Sequence, residues 1–149
     1  MSDPLYKKEL LRLAADAHGA GRLAHATATG HAHNPVCGDK VVVDLVLERG
    51  RVVEIGQETK ACVLTQASAS ILGNSLIGAT RGEVEALQRT VKAMLESQGH
   101  VPEAPFQDYS AFDAALAYPA RHTCVLLPIQ AALAAFDVSE AEELKAVRG

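Results

Sequence analysis

Hydrophobic and polar positions change period twice along the chain, and each change marks a new kind of element. The opening stretch is helical. Tyr6, Leu10, Leu13 and Ala17 recur at helical spacing, Ser2 or Asp3 can cap the start, Pro4 suits the first turn, and Gly19 and Gly21 end it. Residues 26–34 (ATATGHAHN) then alternate small and β-branched residues with polar ones, a weak strand. The clearest alternation follows in DKVVVDLVLERGRVVEIGQETK. There Val41, Val43, Leu45 and Leu47 share one face and Asp44 and Glu48 mark the other. Glu48-Arg49-Gly50 turns the chain, and Val53 and Ile55 resume the alternation in a third strand.

From Cys62 the period becomes helical again. CVLTQASASILGNSLIG is rich in small and apolar residues, suited to close packing on a sheet. Thr80 and Glu83 form a capping box ahead of Val84, Leu87, Val91, Met94 and Leu95 on one helical face. SQGHVPEAPF is a loop, and SAFDAALA is a short helical piece leading to Tyr118-Pro119. Cys124 stands at or near the start of another helix carrying Leu126, Leu127, Ile129, Leu133 and Phe136. Pro128 should kink that helix or move its start later. A second capping box, Ser139 to Glu142, is expected to begin a separate tail helix. This order indicates an α+β fold: a three-stranded antiparallel sheet packed on one face by about four to six helices. Residues 1–149 read as a single domain.

Composition narrows the class. With 48% hydrophobic residues and 21% charged ones the chain is an ordinary globule, and with 4% aromatics and no Trp its core must be aliphatic. A formal charge of −4 argues against nucleic-acid binding. No uninterrupted apolar run approaches the ~20 residues of a membrane span, and the first residues lack a signal-peptide core, so the expected location is cytoplasmic. Three widely spaced cysteines are odd in number, which argues against a disulfide framework.

Reduced thiols are core filler, nucleophiles or metal ligands. Cys37 lies in a turn, NPVCGD, where Asn34-Pro35 and Gly38 let the chain bend. Cys62 lies between a strand and a helix, and Cys124 between a loop and a helix. All three therefore occupy element boundaries, where helix N-termini favour thiolate. Asp39 completes a possible four-ligand set, with Lys40, Lys60 and Arg121 near it in the chain as balancing cations. The spacing fits no zinc-finger pattern. His31 and His33 are either further ligands or surface histidines. A hydrolase built on Cys124, His122 and Asp39 is disfavoured, since His122 stands only two residues before its thiol and no oxyanion motif accompanies it.

NPVCGDKVVVDLVLERGRVVEI, ACVLTQASASIL and YPARHTCVLLPIQAAL together resemble the iron–sulfur cluster assembly scaffold family of NifU N-terminal-like, IscU and SufU type. The likeness runs from about Gly19 to Phe136, and NPVCGD is its most specific part. It implies a compact α+β domain with three cysteines clustered at one exposed end. Cys37, Asp39, Cys62 and Cys124 match the family's metal or cluster ligands, and Cys124 its sulfur acceptor from a cysteine desulfurase. The implied function is transient assembly of a [2Fe-2S] cluster and its delivery to apo-proteins. Thr123 replaces the His that precedes the third cysteine in the IscU branch, and YPARHT replaces that branch's proline-rich chaperone motif. An Hsp70-type chaperone is therefore not an expected partner. Ala61 replaces the usual Gly before the second cysteine. The longer segment between Cys62 and Cys124 looks more like SufU, whose ligand set often holds zinc. That branch keeps open an alternative, a zinc-dependent sulfur acceptor serving a desulfurase without building a cluster.

Overall fold

The computed structural model describes residues 7–36, 38–97 and 101–148. Ser2, Asp3, Pro4 and Tyr6 of the expected first helix, Gly99 of the expected loop, and Cys37 lie outside the described residues. Helix α1 (Lys8–Asp16) buries Leu10 and stops at Ala17, whose left-handed backbone (φ 46°) ends it before the glycines are reached. Strands β1 (Ala28–Asn34), β2 (Asp39–Glu48) and β3 (Arg51–Lys60) form an antiparallel sheet in that order, with β2 central. Arg49 and Gly50, both at positive φ, make the two-residue hairpin turn whose twist matches the strands it joins.

Alternation along β2 sends Asp39, Val41, Val43 and Leu45 to one face, all of them buried. The register continues that face through Ile55 on β3 and then slips: Val46 pairs with Glu54 but Leu47 with Val52. Val53 is the extra residue of this bulge and stays partly exposed, while Val52 takes its expected place in the core.

Helices cover this face. Helix α4 (His122–Arg148) lies directly on β1, because a Cβ at Gly30 would stand 2.1 Å from the Ala131 carbonyl oxygen and 2.3 Å from the Ala135 nitrogen. Helix α2 (Val63–Ser75), between α1 and α4, is buried almost all round, with Leu64, Ala67, Ile71 and Leu72 in the core. Helix α3 (Arg81–Glu96) starts at Thr80, whose hydroxyl accepts the Glu83 N–H at 3.3 Å, and buries the five expected apolar residues against α4 and a 3₁₀ segment, Gln107–Ala117. The expected tail helix is not separate. α4 runs through Ser139, since continuing a helix already held by packing avoids the cost of a new nucleus and nothing between Pro128 and Ser139 breaks it.

Helicity also changes the reading of apolar length. Residues Pro119–Leu144 are long and apolar enough to cross a membrane by length and composition, although no uninterrupted run is. Their most apolar window is 56% buried against the sheet and neighbouring helices, as in the core helix of a globular domain.

The opposite face of the sheet holds a buried charge. Gly19 and Gly21 pair with Gln57 on the free edge of β3, and the chain then crosses to Asp44, which is 1% exposed. Arg22 Nε donates to Asp44 at 2.6 Å, the Leu23 N–H at 3.0 Å and the Thr29 hydroxyl at 2.5 Å. Burial alone would push this carboxyl up, but the donors from Arg22, Thr29 and Leu23 together outweigh it and hold it below the usual carboxylate range. A depressed folded pKa stabilises the fold above the unfolded value, near ~4, and that contribution disappears as pH falls through the folded value. Asp44→Asn should therefore lower stability at neutral pH by roughly 2 kcal/mol and flatten the acid limb of a urea-unfolding series across pH. An unchanged acid limb would show that Asp44 is not a source of the pH dependence.

Candidate metal centre

The β2–β3 register brings the start of one strand beside the end of the other, Lys40 opposite Lys60, so Asp39 and Cys62 meet at one end of the sheet. Cys62 is the N-cap of α2, with extended backbone (φ −69°, ψ 169°). A short 3₁₀ turn, Pro119–Arg121, feeds α4 and sets Cys124 in its first turn, against α2. One ligand atom each from Asp39, Cys62 and Cys124 lies within 4.8 Å of the other two. Cys62 and Cys124, with 61 residues between them in the chain, are thus neighbours in the fold. Cys37 lies outside the described residues; on either side of it, the Asn34 carbonyl accepts the Gly38 N–H at 2.8 Å and Gly38 has φ +76°.

Thr65, which sequence reasoning passed over, sits at the middle of this group. Its hydroxyl lies 2.8 Å from Asp39 Oδ2, 3.0 Å from the Cys124 carbonyl oxygen and 3.6 Å from Cys62 Sγ. Asp39 Oδ1 accepts the Cys62 N–H at 3.3 Å. Pro128 explains part of the pattern. It has no N–H to give to the carbonyl four residues back, that of Cys124, and the Thr65 hydroxyl reaches that carbonyl instead. One turn further along α2, Ser68 donates to the Val125 carbonyl at 2.6 Å and lies 2.9 Å from the Tyr109 hydroxyl. Tyr109 is fully buried, which pushes its phenol up despite Ser68 and keeps it a proton donor. The signal in the sequence was two hydroxyl residues three apart, Thr65 and Ser68, in a helix rich in small and apolar residues, read together with a proline in another.

The other expected participants are not among these three converging groups. Lys40 and Lys60 are exposed and, by strand alternation, on the face opposite Asp39. Arg121 is half-buried just before α4. His31 and His33 are exposed on β1, and His122 Nε2 bonds the Ala115 carbonyl at 2.9 Å, so none of the three belongs to the converging group. Among the described residues the donor set is two sulfurs and one carboxylate, a combination suited to zinc or to iron bound with sulfide. The two sulfurs differ in access: Cys62 is half-buried, whereas Cys124 is 1% exposed beneath α2. In metal-free protein Cys62 should therefore be alkylated well before Cys124, as read by peptide mapping after timed iodoacetamide quenching. Equal rates would mean that the first turn of α4 opens freely in solution.

Comparison with known proteins gives consistent relatives. The family described as NifU-like N terminal domain matches residues 5–125. The chain is 28% identical over 123 residues to the iron-sulfur cluster assembly scaffold protein IscU of Thermotoga maritima, covering 83% of this chain and 86% of that protein. The crystal structure of a nitrogen-fixing NifU-like protein (N-terminal) from Brucella abortus superposes with a TM-score of 0.89 at 34% identity, over 94% of this chain and 97% of that one. A scaffold protein for the SUF system from Fervidobacterium islandicum shares the fold, with a TM-score of 0.80 at 21% identity over 91% of this chain and 99% of that one.

Proposed function

This chain belongs to the family of NifU-like N-terminal domains, and we propose that it is a scaffold on which an iron–sulfur cluster is assembled from iron and delivered sulfur and then passed to apo-proteins. The observation that carries this reading is the convergence of Asp39, Cys62 and Cys124 within 4.8 Å. In it Cys37, two residues before Asp39, supplies the fourth ligand, residues 1–149 act as one domain, and the cargo is a [2Fe-2S] cluster. The sulfur donor is a cysteine desulfurase in a reducing, cytoplasmic compartment. The Cys124 thiolate attacks the terminal sulfur of the donor's persulfide, forming a new S–S bond while the donor leaves as thiolate. Because Cys124 is buried, this step needs α4's first turn to yield locally or the donor to reach it through the half-buried Cys62 side.

The donor set suits temporary holding. Thiolates bind soft iron and zinc tightly, and the harder Asp39 carboxylate supplies a weaker corner from which the cargo can leave. Zinc outranks ferrous iron for such ligands, so protein made without excess iron should carry zinc on the same residues. The zinc-only sulfur acceptor is less well supported, since the curated relative is named as an assembly scaffold.

Anaerobic incubation with ferrous iron, cysteine, a desulfurase and a dithiol reductant, which brings the persulfide sulfur to sulfide, should produce visible charge-transfer absorption that moves to an apo-ferredoxin. A colourless product holding zinc alone would sink the scaffold reading. Asp39→Ala should retain its cluster longer, with loss to a chelator slowed roughly tenfold. Loss at the wild-type rate would remove the carboxylate from the release step.

A further inference from the structure

We propose that Thr65 is a positioning residue of the metal centre, its single hydroxyl proton serving both the Asp39 carboxylate and the Cys124 carbonyl and so holding two ligands from different elements in one arrangement. The metal-binding part of this proposal rests on the ligand reading above. The part concerning Cys124 does not.

A threonine hydroxyl has one proton to give, and here two oxygens stand within reach, at 2.8 and 3.0 Å. Both contacts are buried, where hydrogen bonds are stronger and unmade ones are costly. Asp39 opens β2, Thr65 lies in the first turn of α2, and Cys124 lies in the first turn of α4. One side chain therefore ties together the three elements that carry the ligands. The need for it arises from Pro128. In an unbroken α-helix the N–H at position 128 would bond to the Cys124 carbonyl, but a proline has none, and the Thr65 hydroxyl takes that role. When Asp39 is committed to a cation its demand on the proton falls, and the proton turns towards Cys124. Occupancy of the carboxylate then stiffens the turn that presents the thiol. Thr65 acts without being a ligand, through the groups it orients.

The experiment follows Cys124 alkylation by iodoacetamide in chelator-treated full-length protein, and zinc affinity in parallel. Thr65→Val keeps the shape and removes the hydroxyl. Cys124 should react about tenfold faster, as expected for loss of one buried hydrogen bond, and zinc should bind about tenfold more weakly. Thr65→Ser keeps the hydroxyl and should restore both values. Adding Pro128→Ala to Thr65→Val supplies the N–H to the Cys124 carbonyl, so the thiol should become slow again while zinc binding stays weak. Thiol rates that are the same in Thr65→Val and wild type, or equally fast in the Val and Ser variants, would overturn the proposal. Failure of the wild-type chain to bind zinc would overturn the ligand reading instead, and the thiol rates would still decide the role of Thr65.

Discussion

Helix α4 meets β1 backbone to backbone, because Gly30 has no side chain and the facing residues of the helix, Ala131 and Ala135, have the smallest ones. Packing this close leaves little freedom in the height or angle of α4 above the sheet. Cys124 is carried on the same helix, two turns earlier, and Asp39 is in β2, the next strand over. The contact at Gly30 thereby sets how near a sulfur from the last helix can come to a carboxylate from the central strand. Larger residues at this seam would lift α4 and move Cys124 away from Asp39.

Close packing raises a second problem, since it buries backbone groups that must be satisfied. Pro128 interrupts the hydrogen bonding of α4 beside the converging Asp39, Cys62 and Cys124, and α2 answers with Thr65 and Ser68 directed at successive carbonyls, those of Cys124 and Val125. This accounts for two of the four hydroxyls in a helix buried nearly all round; a third, that of Ser70, accepts the His18 N–H at 3.1 Å. Thr65 and Ser68 therefore help to hold the first turn of α4, which carries Cys124, as well as filling the core. Asp39 and Asp44 show the same economy along β2. Five positions apart, they fall on opposite faces; one converges with Cys62 and Cys124, and the other joins Arg22, Leu23 and Thr29 in closing the outer face.

Much of the fold is legible in the sequence because it is periodic. Val41, Val43 and Leu45 announce the buried face of β2, Arg49-Gly50 the hairpin, and Thr80 with Glu83 the start of α3. Local rules fail where tertiary packing outweighs them. Ser139 and Glu142 have the pattern of a capping box, yet a helix already docked on the sheet runs through them. Val53 should continue the alternation but is the extra residue of a bulge, so Val52 is the one buried. Lys40 and Lys60 are close in number to Asp39 and Cys62 but lie on the face of the sheet opposite Asp39, because adjacent strand residues point to opposite sides.

The types of residue needed for the site could be named from the chain alone, since soft-metal chemistry requires thiols and Asp39, Cys62 and Cys124 all stand at element ends. Their meeting within 4.8 Å, the burial of one sulfur and the half-exposure of the other were decided only by the packing of α2 and α4 on the sheet. The role of Thr65 was decided there too. Its partners come from β2 and from α4, 26 residues before it and 59 after, and no local pattern records a hydrogen bond between elements so far apart.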